Sequence, residues 1–74
     1  MDLQVQFGKR VKELRLAKGL SQEALALKAE VDRTYMTSVE NGKRNVAIQN
    51  IGRIIAALDI SIPDFFNSEV FTIK

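Results

Sequence analysis

Apolar residues recur at steps of three and four along nearly the whole chain, and that periodicity constrains its fold more than any other feature. Leu3, Phe7, Val11 and Leu14 step by four, four and three, which places them on one helix face. Ile48, Ile51, Ile55 and Leu58 step by three, four and three, and Ile54 widens that face. No strand-like alternation interrupts the pattern before the last few residues. The expected fold class is therefore all-α: a compact bundle of five helices joined by very short loops.

Local punctuation sets the expected boundaries. Lys18-Gly19 stops the first helix, because Gly accepts the left-handed cap conformation and Lys complements the negative end of the helix dipole. Leu20 is placed for the apolar contact that accompanies such a cap. Ser21 is an N-cap, with Glu23 in the first turn of a short second helix, Gln22 to about Ala29, whose inner face carries Leu25 and Ala29. Asp32 caps a third helix, Arg33 to Glu40, with Met36 and Val39 facing inward. Asn41-Gly42 ends it, and Lys43-Arg44-Asn45 is a polar loop. The fourth helix is expected from about Val46 to Leu58, and Gly52 in its interior suggests close helix packing. Ser61 opens a fifth, short helix, with Pro63 in its first turn. Lys9, Arg10, Lys12 and Arg15 fall off the apolar stripe of the first helix and read as a solvated face. Val70 to Lys74 has strand-like composition, and its length leaves its state open.

The length of 74 residues allows one domain and one modest core. Pairing with a second copy would supplement that core. There is no Cys and no His. Disulfides and thiolate metal sites are excluded, and the commonest metal ligand and general base are missing. No cofactor is expected and enzyme chemistry is disfavoured. No apolar run approaches the length of a membrane span. Met1-Asp2-Leu3-Gln4 lacks the basic start and apolar run of a signal peptide, so a cytoplasmic location is expected. Residues 1–53 carry ten basic against six acidic side chains, whereas residues 54–74 carry one against three. A basic front and an acidic, apolar tail point to two surfaces with different partners.

The informative segment is Ser21 to Asn45. Two short helices are joined by about three residues. Small Ala26 stands where the helices must approach, Val31 is apolar within the turn, and Met36 and Val39 anchor the second helix. These are the requirements of a helix-turn-helix over about residues 21–41. Such a motif leaves the N-terminal half of its second helix protruding, and in a DNA-binding member that half enters the major groove.

At this point the chain resembles the Xre/Cro/CI helix-turn-helix family, with its lambda-repressor-like domain. Phe7-Gly8-Lys9-Arg10-Val11-Lys12-Glu13-Leu14-Arg15 is similar to the family's first helix, and Leu20-Ser21-Gln22-Glu23-Ala24-Leu25-Ala26 to its second-helix opening. The likeness continues through Val39-Glu40-Asn41-Gly42-Lys43-Arg44-Asn45 and the Ile-rich fourth helix. Asp32-Arg33-Thr34-Tyr35 with Arg44-Asn45 resembles, more narrowly, the controller proteins of bacterial restriction–modification systems. Two positions depart from the pattern. Glu30 stands where the family usually has Gly, and Val46-Ala47 replaces a Pro and a Ser or Thr cap, which leaves Asn45 as the expected cap.

Each exposed residue of the segment then has a candidate role. Arg33, in the first turn of the recognition helix, has a planar fork that suits guanine O6 and N7. Thr34 suits a base edge, a thymine methyl or a phosphate. Tyr35 either meets DNA or packs on the first helix. Thr37 and Ser38 lie a turn further on, with Ser38 better placed for the groove. The resemblance puts Gln22 on a phosphate. Lys43, Arg44 and Asn45 suit backbone or flanking-base contacts. Glu40 reads as structural, paired with a basic side chain. In the tail, Ile60, Ile62, Phe65, Phe66, Val70 and Phe71 exceed what a small core readily absorbs. They are candidates for a two-fold dimer interface within residues 58–74.

The resemblance implies a dimeric, sequence-specific transcriptional regulator that binds palindromic operators in double-stranded DNA. For a controller protein it implies control of the protein's own gene and of an endonuclease gene, without a small-molecule effector. A phage-type repressor, an antitoxin of a toxin–antitoxin pair, and an interaction domain without DNA binding are the alternatives.

Overall fold

The computed structural model describes residues 2–71. Five α-helices follow one another: α1 (Leu3–Ala17), α2 (Gln22–Ala29), α3 (Arg33–Glu40), α4 (Ile48–Ala57) and α5 (Ile62–Phe66). A single-turn 3-10 helix, Glu69–Phe71, comes last. Val70 and Phe71 are thus helical, and the rest of the strand-like tail lies outside the described residues.

Side chains start three of the helices. Asp2 Oδ1 accepts from the Gln4 amide at 2.9 Å, Ser21 Oγ from Ala24 at 3.0 Å, and Ser61 Oγ from Asp64 at 3.2 Å. Each satisfies a backbone donor that the first helical turn leaves unpaired. Asp32 stands at the cap of α3 without such a bond. The expected cap of α4 is also absent: Ala47 occupies that position, Asn45 takes no part, and the helix begins at Ile48 instead of Val46.

Left-handed residues follow the first four helices. After α1, Gly19 has φ 70°, Leu20 N–H donates to Arg15 C=O at 3.0 Å, and Gly19 N–H to Leu16 C=O at 3.0 Å. After α2 the same two bonds form, Val31 to Ala26 at 2.9 Å and Glu30 to Leu27 at 3.2 Å. There the left-handed residue is Glu30, with φ 58° and ψ 42°. This paired bonding satisfies the last carbonyls and turns the chain sharply.

The core is assembled from Phe7 and Val11 of α1, Leu25, Ala26 and Ala29 of α2, and Met36 and Val39 of α3. Ile54, Ile55, Ala57, Leu58 and Phe65 complete it from the C-terminal side. Helix α2 packs on α3 and α4, α1 packs on α3, and the 3-10 helix returns onto α1. Two α1 side chains fasten the C-terminal segment. Gln6 Nε2 donates to Val70 C=O at 3.1 Å, and Arg10 donates to the carbonyls of Phe65 (2.7 Å) and Asp64 (3.0 Å).

The structure corrects several expectations. Leu3 and Ile48 share the apolar stripes of α1 and α4 but are 64% and 83% exposed. Both stand at helix starts, beyond the reach of the core. Gly52 marks no close helix packing: a Cβ there would meet no atom of another helix within 4 Å. The close approach is at Gly8, against the end of α3. Arg15 is buried instead of solvated. Phe65, assigned to the dimer interface, is 0% exposed at the centre of an aromatic cluster with Phe7, Phe66 and Phe71.

Candidate nucleic-acid interface

The Ser21 cap and the left-handed Glu30 aim α2 and α3 across one another. Met36 and Val39 hold α3 to the core by one face. Its other face carries the candidate residues. Arg33 and Thr34 are exposed on the first turn, and Thr37 and Ser38 lie half-buried one turn on. Thr37 Oγ1 lies 3.1 Å from Arg33 C=O, and Ser38 Oγ donates to Thr34 C=O (3.2 Å). The Ser38 proton is thereby engaged within α3, whereas the one Thr37 proton goes to the Gln22 carbonyl oxygen at 3.0 Å.

The loop after α3 folds back onto that helix through Arg44. The Arg44 guanidinium lies 4.8 Å from the centroid of the Tyr35 ring, a stacked cation–π arrangement. Asn50 Nδ2 donates to the Tyr35 hydroxyl at 3.1 Å. The ring is therefore held from α4 at one end and covered by Arg44 on a face. Tyr35 also packs against the core as a half-buried residue. Lys43 and Asn45 flank this pair and are exposed.

Gln22 is less free than its expected phosphate contact suggested. Its Nε2 donates to Glu40 Oε1 at 3.1 Å, and its Oε1 accepts from Thr37 Oγ1 at 3.0 Å. Glu40 in turn pairs with Arg15, which donates through Nε at 2.6 Å and Nη2 at 3.0 Å. Arg15 also donates to Leu20 C=O at 2.8 Å. A buried bidentate pair thus joins α1, the start of α2 and the end of α3. It matches the expectation that Glu40 is structural and pairs with a basic side chain.

Arg15 and Asn50 are functional neighbours that sequence reasoning missed. Arg15 had a signal: it continues the four-residue row Phe7, Val11 that faces the core, so a charge there demands a buried partner. Asn50 had none, being one polar residue on the outer side of α4. Among the described residues no cluster of His, Cys, Asp or Glu could hold a metal ion, and no helix is long and apolar enough to cross a membrane.

Comparison with known proteins agrees with this architecture. A helix-turn-helix family profile matches residues 11–65. The control protein C.MunI of Mycoplasma sp. is 45% identical over 67 residues, covering 89% of this chain and 90% of that protein. Among solved structures, the restriction-modification controller protein C.AhdI from Aeromonas hydrophila superposes with a TM-score of 0.81 at 51% identity, covering 85% of this chain and 96% of that one. The controller protein C.Esp1396I, solved as a tetramer in complex with its natural 35 base-pair operator, gives a TM-score of 0.84 at 36% identity, covering 89% and 87%. The chain belongs to the helix-turn-helix family, within the group of restriction–modification controller proteins.

Proposed function

We propose that this protein is a sequence-specific transcriptional regulator that binds palindromic operators as a dimer, in the cytoplasm. As the controller of a restriction–modification system it would govern its own gene and the endonuclease gene. The observation that carries this reading is the exposure of Arg33, Thr34, Lys43 and Arg44, with Arg44 stacked on Tyr35 of α3 and Gln22 bonded to Thr37 of the same helix. In this reading Arg33 and Thr34 read base edges, with Ser38 at the margin of the groove. Gln22 and Lys43 meet phosphates. Tyr35 and Thr37 orient their neighbours, and Arg44 and Asn45 contact flanking DNA. The operator complex of C.Esp1396I supports it by likeness of fold.

The dimer surface in this reading comprises Ile60, Ile62, Phe66, Val70 and Phe71, without Phe65. Ile62 and Phe66 are 59% and 39% exposed, and Phe66 borders an apolar groove of about 230 Å³ with Leu3, Phe7 and Ile51. Selection from random duplexes tests the proposal. The expected product is a palindrome whose half-sites are centred about 34 Å apart. Recovery of no enriched sequence, or only of asymmetric single sites, would refute it.

A further inference from the structure

Glu40 is buried, and its carboxylate serves three donors. Oε2 takes Arg15 Nε, and Oε1 takes both Arg15 Nη2 and Gln22 Nε2. A carboxylate only accepts, so the amino end of the Gln22 amide must face it. The carbonyl end then faces Thr37, whose hydroxyl donates. Glu40 on one side and Thr37 on the other therefore settle which way round the amide lies. One Nε2 hydrogen is spent on Glu40. The second has no acceptor among the described residues, and it belongs to a half-exposed side chain at the first position of α2.

We infer that Glu40 is a positioning residue for DNA: through Gln22 it presents one N–H to a backbone phosphate. The inference rests on the DNA-binding reading above. The arrangement answers an electrostatic difficulty, because a lone carboxylate near the DNA would repel it. Arg15 neutralises that charge through both carboxylate oxygens and shares Oε1 with Gln22, so the hydrogen bond to Gln22 is kept while the repulsion is compensated. A glutamine at position 40 cannot do the same. Its single carbonyl oxygen can take the place of only one carboxylate oxygen, and where it stays with Arg15 Nε its amino group stands at the Oε1 place, toward Gln22. The Gln22 amide then reverses, and its free N–H leaves the phosphate side.

The test is a double-mutant cycle on binding to a duplex selected from a random pool, with an unrelated duplex of equal length alongside. Gln22→Ala and Glu40→Gln are each expected to weaken binding about three- to tenfold on both duplexes, the scale of one hydrogen bond. Added to Gln22→Ala, Glu40→Gln is expected to cost nothing further, or to tighten binding slightly by removing a negative charge. A purely structural Glu40 would give the same effect with and without Gln22, and that result overturns the inference. The unmodified protein gives an independent reading by NMR. One Gln22 side-chain amide proton should be protected from exchange, and only the other should shift as duplex is added. Two equivalent protons, or a shift in neither, would overturn the inference even if Glu40→Gln fails to fold. A chain that binds neither duplex refutes the DNA-binding reading itself, and the role of Glu40 falls with it. Normal binding without coupling removes only the role of Glu40.

Discussion

Gly8 of α1 and Val39 of α3 meet backbone to backbone. A Cβ on Gly8 would fall inside the Val39 carbonyl oxygen and 2.9 Å from that of Glu40. Neither obstacle is a side chain that can swing away. Gly8→Ala must therefore push α3 off α1 and disturb the Arg15–Glu40 pair that lies beside the contact. The expected cost is about 3 kcal/mol of folding stability, read from the urea midpoint. A midpoint unchanged from the parent protein would mean that α1 and α3 separate without penalty.

Glu30 is held at φ 58° in the turn of the helix-turn-helix. A side chain in the left-handed region costs about 1 kcal/mol, whereas Gly is free of that strain but loses more chain entropy on folding. Glu30→Gly is expected to stabilise the protein by roughly 0.5 kcal/mol net and to leave DNA affinity unchanged. Asp59, at φ 55° after α4, belongs to a residue type that visits this region more readily, so Asp59→Gly should gain less. Equal gains at the two positions, by chemical denaturation, would contradict this account of the strain.

Glu30 also shows what the sequence discloses and what it withholds. Its turn was legible only through the family resemblance, which puts Gly where Glu30 stands; the residue type itself gives no sign of a left-handed conformation. The helices and most of the core were legible directly: periodicity of three and four is a property of adjacent turns. Ile48 and Leu3 satisfied that periodicity yet stand in solvent, since period alone cannot tell where a helix runs past its neighbours. Arg15, Gln22, Glu40 and Thr37 are joined across three helices, and Asn50 reaches Tyr35 from a fourth. Such contacts depend on crossing angles that no local pattern encodes.

The Arg15–Glu40 pair gives a separable prediction about stability. Removing one partner leaves the other charge buried, so Glu40→Ala should cost about 3–5 kcal/mol. Replacing both, as Arg15→Met with Glu40→Leu, removes both desolvation penalties and should recover most of that loss in thermal unfolding. A double variant no more stable than the single one would show that the bond from Arg15 to the Leu20 carbonyl, not the ion pair, holds the α1–α2 connection.

Arg33 and Lys43 should separate specific from general affinity. Arg33→Ala is expected to cost about 1–3 kcal/mol on the selected operator and to relax one base position, with little loss on unrelated DNA. Lys43→Ala should weaken both duplexes alike and lower the salt slope by about one. Titration at several salt concentrations distinguishes them. An Arg33→Ala protein with unchanged sequence preference would remove direct readout from that residue, and an unchanged slope would remove Lys43 from the phosphates.

Phe65 and Phe66 are adjacent in sequence and opposite in consequence. Phe65 is 0% exposed and packs edge-on to Phe66, while Phe66 is 39% exposed at the apolar groove. Phe65→Ser should therefore unfold the domain, with a loss of about 3–5 kcal/mol or more. Phe66→Ser combined with Ile62→Ser should leave the helical content intact and shift sedimentation toward monomer. Operator affinity should fall with it, because one module reads a single half-site and the second contact of a dimer is gained at high effective concentration. A folded double variant that still sediments as a dimer would move the pairing surface away from α5, and the exposed Leu3 and Ile48 would be the next residues to replace.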